Sequence, residues 1–248
     1  MKFSSSANLH KILSFAFMNT IKHVFFDLDN TLWDFRKNAK FALKELYIKY
    51  DVENRYGFTF DEFHPFYHDS NEGLWALIRD KKITKEELRA RRFKDAFDQL
   101  GIDNDALAKI FEEEYMETIT NYNEVVDGAM ELLDYLKPNY TLHIITNGFI
   151  EVSKRKIETS ELKGYFDTVT YADEIKILKP DPRIFSLAME KSEAKKEESI
   201  YIGDDWIADA VGAKAYGMSA IFFDRLDENF SMDNVPTIKH LDEVRNYL

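Results

Sequence analysis

The chain has 248 residues, 45% hydrophobic and 31% charged, which is material for one large globular domain or two modest ones. Its 45 acidic against 33 basic residues leave a formal charge of −12, which excludes non-specific nucleic-acid binding and requires local cations to draw in any anionic ligand. Cysteine is absent, so disulfides, thiolate zinc sites and a cysteine nucleophile are excluded; this fits a reducing cytoplasm, where we place the protein.

The first seventeen residues, MKFSSSANLHKILSFAF, hold a short apolar part, ILSFAF, broken by serine and followed by no small-residue cleavage site. Met18 opens MNTIKHVFFDLD and leads directly into an apolar strand, so residues 1–17 read as a loosely ordered extension or as lying upstream of the true start. No run approaches the roughly eighteen apolar residues of a membrane span, and no membrane contact is expected.

From Phe35 to about Tyr122 the pattern is helical. Thr59–Glu62 and Thr84–Glu87 read as capping boxes, and ELRARRFKDAFDQL carries apolar residues at helical spacing until Gly101 stops it. Phe63, Phe66, Phe93, Phe97 and Phe111 recur at spacings that pack such helices together. After Asp127 the texture changes. AMELLDYL reads as a helix ending before Pro138, YTLHIITNG as a strand, then a helix to about Ser160 and a strand near FDTVTYAD. Asp181 and Pro182 open a further helix, SIYIGDD is a strand, DWIADAVGAKAYG a helix, MSAIFFD a strand and HLDEVRNYL a last helix. Alternating strands and helices imply an α/β fold, a parallel sheet with helices on both faces. The all-helical stretch interrupts it as an inserted domain. The expected boundaries are 1–34 with 122–248 for the core and 35–121 for the helical insertion.

Three apolar strands end in polar residues: VFFDLDNT, HIITNG and IYIGDD. Ligands of open parallel sheets bind beyond the carboxyl ends of the strands, so folding should gather Asp27, Asp29, Thr146, Asn147, Asp204 and Asp205 at one edge. Four carboxylates there require a divalent cation, and an oxygen-only ligand set favours magnesium. Lys179 of ILKPDPRIF supplies the further positive charge, with Lys176 a weaker candidate. A carboxylate nucleophile, a second acid, hydroxyl and amide donors, a lysine and magnesium together suit phosphoryl transfer. In that scheme Asp27 attacks phosphorus, Asp29 protonates the leaving oxygen and later takes a proton from water, Thr146 and the backbone around Asn147 hold the phosphoryl oxygens, and Lys179 neutralises them.

DLDNT, ITNG, the lysine of KPDPRIF and GDDWIAD, in this order, resemble the four signature motifs of the haloacid dehalogenase superfamily of phosphohydrolases, from about residue 21 to 248. The resemblance implies a Rossmannoid core with a helical cap inserted after the first motif. It implies magnesium held by the side chains of Asp27 and Asp204 and the backbone carbonyl of Asp29, with Asp209 orienting the lysine or a metal-bound water and Thr31 and Asp205 in support. Asp29, which the superfamily's dehalogenases lack, implies a phosphatase. ITNGF, the Leu74–Trp75 pair and ITKEELRARRF are similar to the pyrimidine 5'-nucleotidase branch, which implies a nucleoside 5'-monophosphate as the small phosphate monoester. Trp33 and Trp75 are candidate substrate contacts. One departure is GDDW, where Asp205 and Trp206 stand in place of the small residue many relatives carry.

Open alternatives are a sugar-phosphate or phosphoglycolate phosphatase, a phosphomutase, and, outside enzymes, a phospho-aspartate signalling module. His64 and His68, four apart, read as surface histidines rather than a metal pair, His143 as structural, and Arg89, Arg91 and Arg92 as a solvated helix face.

Overall fold

A computed structural model describes residues 21–248, so the expectations for residues 1–17 lie outside the described residues. The chain enters on β1 (His23–Phe26), whose register partners are parallel strands on both sides. A strand buried on both faces has no reason to alternate, which is why HVFF reads as a continuous apolar run.

The chain then turns helical: α1 (Phe35–Lys49), α2 (Val52–Tyr56), α3 (Phe60–Arg79), α4 (Lys85–Gln99) and α5 (Asp105–Thr118). Both expected capping boxes are formed. The Thr59 hydroxyl accepts from the Glu62 N–H at 3.3 Å while Glu62 accepts from the Thr59 N–H at 2.8 Å, and Thr84 and Glu87 do the same at 3.2 and 2.7 Å. Gly101 follows α4 in the left-handed region, φ 72°, where a side chain would be strained. Phe63, Phe93, Phe97 and Phe111 are buried together, with Phe111 meeting Phe97 edge-on at 5.2 Å and Phe93 at 5.5 Å. Phe66 remains half-buried.

After α6 (Ala129–Leu136) come β2 (Thr141–Thr146), α7 (Ile150–Thr159), β3 (Thr168–Tyr171), α8 (Pro182–Ser192), β4 (Ser199–Gly203), α9 (Gly212–Tyr216), β5 (Ser219–Phe223) and β6 (Thr237–Ile238). The six strands are all parallel, in the order β3-β2-β1-β4-β5-β6, as expected for a Rossmannoid core. The short β6 had no counterpart in the sequence pattern. One side of the sheet is covered by a cluster including Phe25, Ile145, Ile184, Phe185, Tyr201 and Phe222. No helix among the described residues is long and apolar enough to cross a membrane.

Two helices expected from the sequence take tighter or wider forms. DWIADAVGAKAYG begins as a π-helical turn, Trp206–Val211, before α9, because the Asp205 carbonyl accepts from both Asp209 and Ala210 while its carboxylate caps Ile207 and Ala208. The last segment, Leu241–Asn246, winds as a 3₁₀-helix. Contacts divide the described residues into two compact units. One comprises the residues up to Trp33, Val125–Ser153 and Ser160–Leu248; the other comprises Asp34–Glu124 and Lys154–Thr159.

The arginine run of the helical unit differs from its expected solvated face. Arg91 pairs with Asp95 at 2.9 Å on the surface, but Arg92 is buried, donating to both oxygens of Glu112 at 2.8 Å. Its guanidinium also lies 4.9 Å from the Tyr115 ring centre and approaches the Asn71 side chain at 3.5 Å. Glu112 and the aromatic floor make burial of this charge tolerable. His64 and His68 stack with ring centres 6.4 Å apart. Among the described residues, the one group of three acidic or histidine side chains converging as ligands lies elsewhere, at the sheet edge.

Candidate active site

β1, β2 and β4 run side by side, and their carboxyl ends deliver the polar residues that follow them to one place. Asp27 leaves β1 with its N–H donating to the Ile202 carbonyl of β4 at 2.9 Å, so its side chain is set by the sheet ladder itself. The chain then makes a tight turn: Leu32 and Trp33 both donate to the Leu28 carbonyl, and Asn30 sits at φ 62°. That turn brings the buried Thr31 hydroxyl to Asp204, donating at 2.8 Å.

Lys179 is the centre of the arrangement. Its ammonium is fully buried and donates to Asp27 Oδ1 at 2.5 Å, Asp209 Oδ1 at 2.6 Å and the Tyr201 hydroxyl at 2.7 Å. Its backbone is bracketed by one side chain: Asn147 Oδ1 accepts from the Lys179 N–H at 2.8 Å, and Asn147 Nδ2 donates to the Lys179 carbonyl at 3.2 Å. The asparagine side chain is therefore engaged in placing the lysine, while its backbone, the part expected to serve the phosphoryl group, stays at the strand end. Lys176 is exposed three residues earlier.

Two glycines are demanded by close approach. A Cβ on Gly203 would collide with the Asp209 side chain, so the residue before the Asp204–Asp205 pair has to be glycine for Asp209 to reach the lysine. A Cβ on Gly148 would come within 2.6 Å of Ser153 Oγ and 3.2 Å of both Asp29 Oδ2 and Thr146 Oγ1. Asp29 and the Thr146 hydroxyl therefore face the same small space, and Thr146 also accepts from the Gly148 N–H at 3.0 Å.

Carboxylate oxygens of Asp27, Asp204 and Asp209 lie within 4.8 Å of one another. Burial above all, with Asp209 and Asp29 in support and Lys179 in opposition, pushes the Asp27 carboxyl up to about 7. Asp204 is driven well above the carboxylate range by burial and by Asp27 and Asp209, against the Thr31 hydrogen bond. For Lys179, burial favours the neutral amine, but Asp209 and Asp27 outweigh it and hold the ammonium above its ordinary range. One lysine does not balance this many acids. Asp209 has both oxygens engaged, Oδ1 by Lys179 and Tyr201 and Oδ2 by the Asp205 N–H at 3.0 Å, whereas among the described residues Asp27 and Asp204 each use only Oδ1. The all-oxygen donor set and its uncompensated negative charge fit a magnesium ion held by Asp27 and Asp204.

Of the other sequence candidates, Asp205 uses its carboxylate to cap the turn that carries Asp209. Trp33 is wholly buried, its backbone bridging to Asp29 and Val125, so its ring presents no exposed face in this structure. Trp75 is half-buried on α3 with the Lys85 ammonium 6.0 Å from its ring centre. Tyr201 escaped the sequence reading because a tyrosine in IYIG looks like a β-former in an apolar strand. The available signal was its period-two phase with Gly203, which turns it to the same side of the sheet.

A model of the haloacid dehalogenase-like hydrolases matches residues 21–217. The chain is 28% identical to the pyrimidine 5'-nucleotidase PynA of Streptococcus pneumoniae, over 82% of this chain and 83% of that one. It is 32% identical to a glyceraldehyde 3-phosphate phosphatase of Pyrococcus furiosus, over 83% and 82%. The magnesium-bound crystal structure of the HAD-hydrolase YfnB from Bacillus subtilis shares its fold, with a TM-score of 0.81 and 24% identity over 91% of this chain and 97% of that one. The four motifs, the parallel sheet and the matched family together make this chain a member of the haloacid dehalogenase-like hydrolases.

Proposed function

We propose that this hydrolase is a magnesium-dependent phosphatase that cleaves small phosphate monoesters, foremost nucleoside 5'-monophosphates, through an aspartyl-phosphate on Asp27. The observation that carries the reading is the buried Lys179 ammonium 2.5 Å from Asp27, with a second carboxylate, Asp29, beside the Thr146 hydroxyl. Asp27, Asp204 and the Asp29 carbonyl would hold the magnesium, which would supply neutralisation of the phosphoryl charge.

In the first step an Asp27 oxygen attacks phosphorus, the ester P–O bond breaks, and Asp29 gives its proton to the departing oxygen. In the second, Asp29 takes a proton from water as that water attacks phosphorus, the bond to Asp27 breaks, and inorganic phosphate leaves. Thr146 and the backbone at Asn147 hold phosphoryl oxygens, and Lys179 balances their charge. Asp29 distinguishes this scheme from a signalling module, which needs a long-lived acyl phosphate and no acid or base at that position.

The resemblance to PynA favours a pyrimidine nucleotide as substrate, and the glyceraldehyde 3-phosphate phosphatase supports a sugar phosphate as the second reading. The test is inorganic phosphate release from deoxyuridine, thymidine and uridine 5'-monophosphates, flavin mononucleotide and several sugar phosphates, with and without magnesium. Magnesium-dependent release led by the pyrimidine nucleotides is expected. Release led by sugar phosphates would keep the chemistry and replace the substrate class, and no release by folded protein would overturn the phosphatase reading.

A further inference from the structure

An ammonium group has three N–H donors, and Lys179 uses them on three oxygens: Asp27 Oδ1, Asp209 Oδ1 and the Tyr201 hydroxyl. These partners do not behave alike during the proposed reaction. Phosphorylation turns the Asp27 carboxylate into a mixed anhydride, so the charge that Lys179 meets at Oδ1 moves outward to the phosphoryl oxygens. Asp209 remains an anion on the other side. With charge shifting along one direction in each half-reaction, the two anions alone leave the ammonium free to slide between them.

We propose that Tyr201 is the positioning residue that holds the Lys179 ammonium in place while Asp27 passes between carboxylate and acyl phosphate. The inference rests on the reading of Asp27 as the nucleophile. Tyr201 is fixed for this task from three directions. Its ring is fully buried, meets Phe185 edge-on at 5.7 Å and has the ammonium beyond its hydroxyl end, 5.3 Å from ring centre to Nζ. Its oxygen accepts from Lys179, and its single proton has two acceptors, the Ile145 carbonyl and Asp209 Oδ1, both at 3.1 Å. Ile145 precedes Thr146 in β2, so one hydroxyl ties the strand bearing the phosphate-binding threonine to the lysine and its supporting acid. Burial, Asp209 and Asp27 all oppose ionisation of the phenol, which leaves a neutral group able to accept and donate at once.

Tyr201→Phe removes the oxygen and keeps the ring. The direct readout is the Lys179 ammonium signal in ¹⁵N-lysine-labelled protein, identified by its loss in Lys179→Met and followed with magnesium before and after beryllium fluoride, which mimics an acyl phosphate. The signal is expected to persist through beryllium fluoride addition in the wild type, and to shift or broaden in Tyr201→Phe. In parallel kcat should fall at least about tenfold, the scale of a lost hydrogen bond to a charged group, with KM and magnesium affinity within threefold. A merely structural role would lower thermal stability and all binding constants together. An unmoved ammonium signal, or a kcat within twofold of wild type, overturns the proposal. If wild-type protein hydrolyses no monophosphate, the phosphatase reading fails separately, and Tyr201 is still judged by the ammonium signal of the unliganded protein. Should Tyr201→Phe fail to fold, 3,5-difluorotyrosine at 201 weakens the acceptor without changing the packing, and the same outcomes decide.

Discussion

Two buried ionic clusters, one in each unit, follow opposite rules. In the helical unit Arg92 meets Glu112 through paired hydrogen bonds, Arg89 adds one more from the surface side at 3.1 Å, and Tyr115 and Asn71 complete the shell, so the buried carboxylate is fully compensated. At the sheet edge Asp27, Asp204 and Asp209 crowd around one buried lysine, and the acids outnumber the base. The first cluster is complete without any ligand. The second is poised for one, because burial without full compensation raises the free energy of the charged carboxylates until a cation arrives. The difference separates a buried charge that serves packing from one that serves chemistry.

The sharpest way to break this comparison is to remove one charge from each cluster. Asp27→Asn leaves Lys179 its bonds to Asp209 and Tyr201 and should fold, as checked by an unchanged far-ultraviolet circular dichroism spectrum. Phosphate release should drop by at least about a thousandfold, since the nucleophile is gone. Substantial residual activity would sink the assignment of Asp27. Arg92→Met leaves the Glu112 carboxylate only its contact with the surface-facing Arg89 and should cost about 3 kcal/mol in urea unfolding, the lower end for breaking a buried pair. Adding Glu112→Met should recover most of that loss. A single substitution as mild as the double one would show that Arg89 alone compensates Glu112 and that Arg92 is not what closes the cluster.

A smaller effect tests how the lysine is aimed. Asn147→Ala deletes both hydrogen bonds that bracket the Lys179 backbone but leaves every charge in place. We expect kcat to fall by about tenfold, the scale of one or two hydrogen bonds at roughly 1 kcal/mol each. Asn147→Asp keeps the acceptor for the Lys179 N–H and should retain more activity than the alanine. If KM rises instead with kcat unchanged, Asn147 acts on substrate binding and not on the lysine.

The sheet-edge residues were legible because strand-end acids have few structural reasons to exist. An apolar run that stops at Asp27, or at Asp204 after Gly203, marks the ligand edge of a parallel sheet before any coordinates are known. The alternation of strands and helices made the Rossmannoid core legible in the same way. What stayed hidden depended on partners distant in sequence. Arg92 looks like its exposed neighbour Arg91 until Glu112, twenty residues on, is brought against it. Tyr201 looks like a core aromatic until Lys179 arrives, and the Asn147 side chain has no visible task until it meets the lysine backbone. The burial of Trp33 follows from the turn at Leu28, which local pattern did not reveal.

A third buried polar group extends the comparison, because it manages charge by remaining neutral. His143 in β2 lies between the His23 ring nitrogen at 3.0 Å and the Thr168 hydroxyl at 2.9 Å, with its ring stacked 4.5 Å from Phe25. Burial, reinforced by His23, pushes its pKa down from 6.5 to about 4. The sign follows from proton binding: below pH 6.5 the unfolded chain takes up a proton at this residue that the folded chain refuses until about pH 4. Its contribution to stability is therefore full above pH 6.5 and is lost as pH falls. The raised carboxylates at the sheet edge work in the opposite sense in metal-free protein, so the two must be separated. The difference in unfolding free energy between wild type and His143→Leu isolates the histidine, because the acids contribute equally to both. That difference should move against the wild type by about 2 kcal/mol between pH 7 and pH 5. A difference that stays flat across this window would mean that His143 is protonated as easily in the fold as outside it, and that the sheet tolerates a charge where the helical unit needs a paired one.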